Sequence, residues 1–258
     1  MIKEIAGGYV KTETHNGITT IEFFHPQSNS LPGKILETLA GEIISAGNRE
    51  ETRVLILKSG GEKTFCAGAS FDELVQIKDK DTGFLFFSGF AKVINAMRTC
   101  PKLIIARIQG KCVGGGVWLA AAADYAIALH KADVKLSELA IGIGPFVVGP
   151  AVERKIGHAA FAALSIDASM WRNSDWAKRK GLFSEVHETL DNLEESVSRL
   201  SNTLAGYSPE AMQALKQIIW EGTAHWDKLL FERARISGEL ILRDFAKKAI
   251  EKFKQKSS

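Results

Sequence analysis

The chain has 258 residues, of which 45% are hydrophobic and 24% charged, and the formal charge of +3 is too small to argue for a nucleic-acid partner. No signal-peptide pattern and no apolar span of 18 residues is visible in the sequence. The three cysteines, Cys66, Cys100 and Cys112, lack metal-binding spacing. We therefore expect one α/β domain of a reduced, cytoplasmic protein, with no metal site and no membrane partner.

Strands and helices alternate through the first half of the chain. In chain order, the hydrophobic pattern predicts a strand at 18–24, a helix across 35–44, a strand at 54–57, a helix across 84–97, a strand at 103–108, a helix from the glycines at 114–116 to 123, and a strand at 125–129. This alternation predicts a sheet with crossover connections and helices packed on its face.

The last hundred residues are predicted to be mostly helical. Ser174 is the expected N-cap of one short helix that ends at Gly181, and apolar residues recur at helical spacing from Leu190 onward, with a break at residues 207–209. No Pro/Gly/Ser-rich linker precedes this part. We expect residues 1–190 to form an α/β core and residues 191–258 to form a helical region of the same domain that packs on a neighbouring subunit.

Two glycine-containing segments, at 65–71 and 110–116, each follow a predicted strand. Small residues let a ligand approach the backbone, and a glycine run at a helix start presents free N–H groups at the positive end of the helix dipole. Two such segments side by side could hold an oxyanion, whereas tight turns and close helix packing are the alternative explanation. No GxGxxG or Walker-type motif indicates a nucleotide site.

Four segments of this sequence resemble the enoyl-CoA hydratase/isomerase (crotonase) family. They are Phe-Cys-Ala-Gly-Ala at 65–69, Ile-Gln-Gly-Lys-Cys-Val-Gly-Gly-Gly at 108–116, Ala-Asp-Tyr-Ala-Ile-Ala at 123–128 and Leu-Ser-Glu-Leu-Ala-Ile-Gly at 136–142. The segments at 26–31 and 176–186 are also similar to the family, so the resemblance covers nearly the whole chain. It implies the α/β crotonase fold, a spiral of β-β-α units whose C-terminal helices complete a homotrimer or a hexamer of two trimers.

The resemblance also implies the active-site roles. The thioester carbonyl of an acyl-CoA would accept hydrogen bonds from the backbone amides of Ala69 and Gly115, and Glu138 would be the acid/base. Glu138 lies in an apolar run, where desolvation raises the pKa of a carboxyl group towards neutral pH. The alternative is a structural carboxylate that caps a helix or pairs with Lys135 or Arg154.

Coenzyme A is implied as part of the substrate, with no further cofactor. By resemblance, Ala67 and Phe71 would flank its adenine near Gly68, Ser30 and Leu31 would line the pantetheine path, and Lys248 would approach the phosphates.

Trp118 is the main departure from the family, whose hydratases carry a second glutamate at this position. Trp118 is expected to wall the acyl pocket, with plain core packing as the alternative. A single glutamate suits a Δ3-Δ2 enoyl-CoA isomerase, whereas the loop at 142–150 resembles that of methylglutaconyl-CoA hydratase-like proteins. We therefore expect a hydratase, with an isomerase and a non-catalytic acyl-CoA-binding or RNA-binding homologue as alternatives.

Two cysteines, Cys66 and Cys112, lie close in sequence to the proposed site. Neither has a histidine nearby in the sequence, so small buried packing is favoured over a nucleophilic role.

Overall fold

The computed structural model describes residues 1–5 and 7–257, with side chains up to residue 252. Its strands in chain order are β1 (Ile2–Ile5), β2 (Gly8–His15), β3 (Ile18–Phe24), β4 (Val54–Ser59), β5 (Thr64–Cys66), β6 (Leu103–Ile108), β7 (Lys111–Val113), β8 (Tyr125–Leu129), β9 (Val134–Lys135) and β10 (Glu185–His187). The helices are α1 (Gly33–Gly47), α2 (Phe71–Leu74), α3 (Lys80–Thr99), α4 (Gly115–Ala122), α5 (Gly149–Ile156), α6 (His158–Ile166), α7 (Ser174–Arg179), α8 (Leu190–Ala205), α9 (Pro209–Ile219), α10 (Trp226–Leu240) and α11 (Asp244–Ser257), with a 3-10 helix at Glu138–Ile141.

The strands form two sheets. Seven of them lie in the spatial order β1-β2-β3-β4-β6-β8-β10, and three form a small parallel sheet in the order β5-β7-β9. β1, β2 and β3 pair antiparallel, and β3 onward pair parallel through crossover helices. The predicted alternating α/β architecture is confirmed, and the strands at 18–24, 103–108 and 125–129 have the predicted bounds.

The short helix α7 begins differently from the prediction. Asn173 is its N-cap, because the Asn173 side chain accepts a hydrogen bond of 2.9 Å from the Trp176 amide. The Ser174 hydroxyl instead donates to the carbonyl of His130 at 2.6 Å. The assignment of Ser174 as the cap was therefore wrong, since this side chain holds α7 against the end of β8.

The C-terminal helices pack on the core of their own chain. α8 covers the large sheet through Leu193 and Val197, which pack with residues of β4, β6 and β8. α10 crosses α3 at a pair of glycines so closely that a Cβ on Gly83 would lie 2.8 Å from the Cα of Gly238. The contact brings α3 and α10 together at one side of the cavity described below. Within the described residues, no helix combines the length and the apolar character that crossing a membrane requires.

Candidate active site

The two glycine segments predicted to act together lie against each other. A Cβ on Gly115 would lie 2.9 Å from the Cα of Gly68, and a Cβ on Gly68 would lie 3.3 Å from the Gly115 nitrogen. Gly68 also has a φ of +95°, which a side chain would strain. Larger residues at either position would separate the loop after β5 from the start of α4.

Ala69 and Gly115 both line one cavity. Gly115 is the first residue of α4, so its N–H has no partner within the helix. The carbonyl of Gly68, just before Ala69, accepts a hydrogen bond of 2.8 Å from the Leu31 amide, which fixes this loop. Two backbone N–H groups directed at one oxygen can stabilise negative charge on it.

Glu138 lies on the same cavity, at the first residue of the 3-10 helix. Its carboxyl group adjoins the glycine loop, since a Cβ on Gly114 would lie 3.1 Å from Glu138 Oε1. Its other oxygen, Oε2, is buried and has no hydrogen-bond partner among the described residues. Burial outweighs a hydrogen bond from the residue's own backbone and raises the pKa of Glu138 from 4.5 to about 7.

The two proposed charge partners of Glu138 lie elsewhere. Lys135 Nζ lies 4.6 Å from the centre of the Trp171 ring, and the guanidinium of Arg154 lies 4.6 Å from the centre of the Trp220 ring. Among the described residues, no salt bridge involves Glu138. The carboxyl group is therefore held near a neutral pKa by burial, without a compensating cation.

Trp118 lies one helical turn after Gly114 and also lines the cavity. The Trp118 amide donates a hydrogen bond of 3.4 Å to the Gly114 carbonyl. Its side chain is fully buried, and its ring packs edge-to-face with the Phe90 ring at a centroid distance of 6.0 Å. Its indole Nε1 is buried and has no hydrogen-bond partner among the described residues. Trp118 thus forms part of the cavity wall and carries a buried polar atom without a partner.

The rest of the cavity is mainly apolar. None of the described residues lining it is Lys, Arg or His. The walls that sequence reasoning missed include Leu74, Phe87, Phe90 and Ser237. The loop at 142–150, singled out in the sequence by its resemblance, contributes Ile143 and Phe146, whereas the contributions of α3 and α10 depend on tertiary packing and leave no local signal.

The predicted coenzyme A residues divide into three groups. Ala67, Gly68 and Phe71 line the cavity. Ser30 and Leu31 are buried and are not among its described lining residues: the Ser30 hydroxyl hydrogen-bonds His25 at 3.0 Å, and the Leu31 side chain packs beside Gly115. Lys248 is exposed on α11, outside the cavity wall.

The two cysteines near the site are fully buried. Burial raises the pKa of Cys66 to about 12, against a weaker opposing hydrogen bond of 3.4 Å from the Gly68 amide. Burial also raises the pKa of Cys112 well above its ordinary value. Thiols held in the protonated form make poor nucleophiles, so these side chains serve packing beneath the glycine loops.

Known proteins and structures resemble this chain over most of its length. A probable enoyl-CoA hydratase of Bacillus subtilis is 27% identical over 241 residues, covering 93% of each protein. Carnitinyl-CoA dehydratase of Salmonella typhi is 29% identical over 208 residues, covering 80% of this chain and 78% of the relative. The crystal structure of enoyl-CoA hydratase from Bacillus halodurans matches with a TM-score of 0.86 at 23% identity, covering 94% of this chain and 99% of that one.

The structural likeness shows that the fold is the crotonase fold that the sequence resemblance implied. A model of the enoyl-CoA hydratase/isomerase family matches residues 13–257. Since this match covers almost every residue, the chain belongs to the enoyl-CoA hydratase/isomerase family.

Proposed function

We propose that this enzyme hydrates a 2-enoyl-CoA thioester, with Glu138 as its acid/base. The proposal rests on one observation above the others: the cavity lined by Ala69 and Gly115 is also lined by Glu138, whose burial raises the pKa of its carboxyl group to about 7. A general base is most effective when its pKa lies near the working pH.

The proposed reaction assigns one role to each of these groups. The thioester oxygen accepts hydrogen bonds from the amides of Ala69 and Gly115. The ionised Glu138 takes a proton from water as the water oxygen bonds to the β-carbon. The electron pair of the double bond moves towards the carbonyl and leaves an enolate oxyanion on the two amides. Glu138 then returns the proton to the α-carbon, and one water molecule has been added.

The cavity lining supports a neutral acyl chain. A terminal carboxylate would be buried near Glu138 with no cation among the described lining residues, and an unpaired buried charge is strongly unfavourable. We therefore propose a short or branched neutral acyl group rather than the dicarboxylic group of methylglutaconyl-CoA. The walls formed by Phe87, Phe146 and Trp118 suit apolar chains.

An isomerase is the second candidate, and Trp118 is the observation that favours it. Glu138 alone could remove a proton from the α-carbon of a 3-enoyl thioester and deliver it to the γ-carbon. No second carboxylate is among the described residues that line the cavity, and this chemistry needs only one base.

Coenzyme A itself would lie along the loop at 67–71, with Lys248 reaching its phosphates. We also propose that the protein assembles as a cytoplasmic homotrimer or hexamer. Large exposed apolar side chains such as Ile166 and Ile218, 74% and 69% exposed, support self-association. Light scattering should give a mass of three or six protomers.

The deciding experiment uses matched thioesters. Purified protein is incubated with 3-methylbut-2-enoyl-CoA, 3-methylglutaconyl-CoA, but-2-enoyl-CoA and a 3-enoyl-CoA, and the products are separated by chromatography. Hydroxyacyl products from the neutral 2-enoyl thioesters support the hydratase proposal, whereas conversion of 3-enoyl to 2-enoyl thioester alone supports the isomerase. No turnover, together with salt-sensitive RNA binding, would favour a non-catalytic homologue and overturn both.

A further inference from the structure

Two residues that line the same cavity each carry a buried polar atom without a hydrogen-bond partner among the described residues. These atoms are the Nε1 atom of Trp118 and the Oε2 atom of Glu138, and both residues line the space beside Gly114 and Gly115. Buried polar atoms are nearly always hydrogen-bonded, so an unpaired one on a cavity wall calls for a partner that the protein alone does not supply. Because Trp118 and Glu138 line one cavity, a single ligand group could supply the partner for both atoms.

Both residues adjoin Gly114, the residue just before α4. The Trp118 amide donates a hydrogen bond to the Gly114 carbonyl, and a Cβ on Gly114 would lie 3.1 Å from Glu138 Oε1. Phe90, edge-on to the indole, limits how far the Trp118 ring can turn away.

The chemistry of the two atoms limits what can satisfy both. The indole N–H is only a donor, and an ionised carboxylate is only an acceptor. A carboxylate on the ligand would accept from Trp118 but would repel Glu138. A ketone would accept from Trp118 and offer Glu138 nothing, and an ammonium group would do the reverse. A hydroxyl oxygen accepts one hydrogen bond and donates another.

We propose that the Trp118 indole N–H donates a hydrogen bond to a hydroxyl oxygen on the acyl chain, which in turn donates to Glu138. The inference rests on the proposed hydratase function and extends it: the same two atoms would hold the water that adds and the hydroxyl that results. Trp118 thereby determines specificity for ligands that carry this oxygen, in the place where a carboxylate stands in hydratases of the family.

The test compares two thioesters that cannot react. 3-Hydroxy-2,2-dimethylbutanoyl-CoA and 2,2-dimethylbutanoyl-CoA have no α-proton, so neither can be dehydrated, and they differ only in the hydroxyl group. Calorimetry on the intact protein is expected to show that the hydroxylated thioester binds about tenfold more tightly. Trp118→Phe keeps the ring and removes the N–H, so it should abolish most of this preference.

A matched control separates the hydrogen bond from cavity shape. Phe87 lines the same cavity without a polar side-chain atom, so Phe87→Leu should change both affinities by the same factor and leave their ratio intact. If Trp118→Phe keeps the wild-type ratio, the inference fails while the proposed function stands. If neither thioester binds the wild-type protein, both the proposed function and the inference that rests on it fail.

A second measurement uses the wild-type protein, so it does not depend on whether a Trp118 variant folds. In the ¹⁵N-labelled wild-type protein, the indole N–H proton of Trp118 should move downfield with the hydroxylated thioester and much less with the other. Its signal can be assigned by elimination, with phenylalanine variants of the other four tryptophans, Trp171, Trp176, Trp220 and Trp226. Identical shifts with the two thioesters would overturn the inference.

Discussion

Replacing Glu138 by glutamine is expected to stabilise the folded protein at neutral and alkaline pH. Below pH 4.5 the carboxyl group is protonated in both the folded and the unfolded chain. Between pH 4.5 and about 7 the unfolded chain loses this proton while the folded chain retains it, so the wild-type protein loses stability as the pH rises. Above about pH 7 both states are ionised, so this loss of stability is complete and no longer changes with pH.

The magnitude follows from the rise in the pKa of Glu138. A tenfold change in proton affinity corresponds to about 1.4 kcal/mol, so a rise from 4.5 to about 7 lowers the free energy of unfolding by about 3 kcal/mol at pH 8. Because glutamine cannot ionise, Glu138→Gln removes this decrease in the free energy of unfolding. Urea unfolding of both proteins at pH 5 and pH 8, at one protein concentration, measures the difference.

A partnered buried carboxylate provides the control. Glu42 accepts a hydrogen bond of 2.7 Å from Thr12 and lies 2.6 Å from Lys3; although burial opposes them, these contacts lower its pKa. Glu42→Gln should therefore destabilise the protein at pH 8, and by less as the pH falls through that lowered pKa. If the stability difference between Glu138→Gln and wild type is the same at pH 5 and pH 8, the reasoning about Glu138 is refuted.

Two other substitutions test the packing around the site. Gly114→Ala is expected to lower kcat/KM for the enoyl thioester by about tenfold or more, because φ is +47° there and the added Cβ would displace the Glu138 carboxyl group; unchanged steady-state kinetics would contradict this. Lys216→Met is expected to lower the free energy of unfolding by about 3 to 5 kcal/mol, since it leaves Asp124 buried without the cation that now lies 2.9 Å away. Adding Asp124→Asn should recover part of that loss in urea unfolding, whereas additive losses would contradict the pairing.

The sequence predicted the parts of the fold that local patterns encode. The strands at 18–24, 103–108 and 125–129 are β-branched or apolar runs that stand out against their surroundings. β5, β7 and β9 have only two or three residues each, too few for any period to be visible, so the small sheet beneath the glycine loops was not predicted. The cap of α7 was misassigned because Asn173 and Ser174 are both good capping residues, and only tertiary packing decides between them.

The candidate site was predicted in a similarly uneven way. Resemblance pointed to Ala69, Gly115 and Glu138, and the structure brings all three to one cavity. Whether Glu138 pairs with a cation could not be read from spacing, because Lys135 is directed away by its contact with Trp171. The missing partners of Glu138 Oε2 and Trp118 Nε1 emerge only in three dimensions.

The pH dependence of hydration tests the role of Glu138 most directly. With but-2-enoyl-CoA, kcat/KM of the wild-type protein is expected to rise with pH and level off above about 7, because Glu138 must be ionised to accept a proton from water. Glu138→Gln should lower kcat/KM by a factor on the order of 10² to 10⁴ and remove this dependence. A variant that hydrates the thioester at the wild-type rate, or that keeps the same rise near pH 7, would contradict the account.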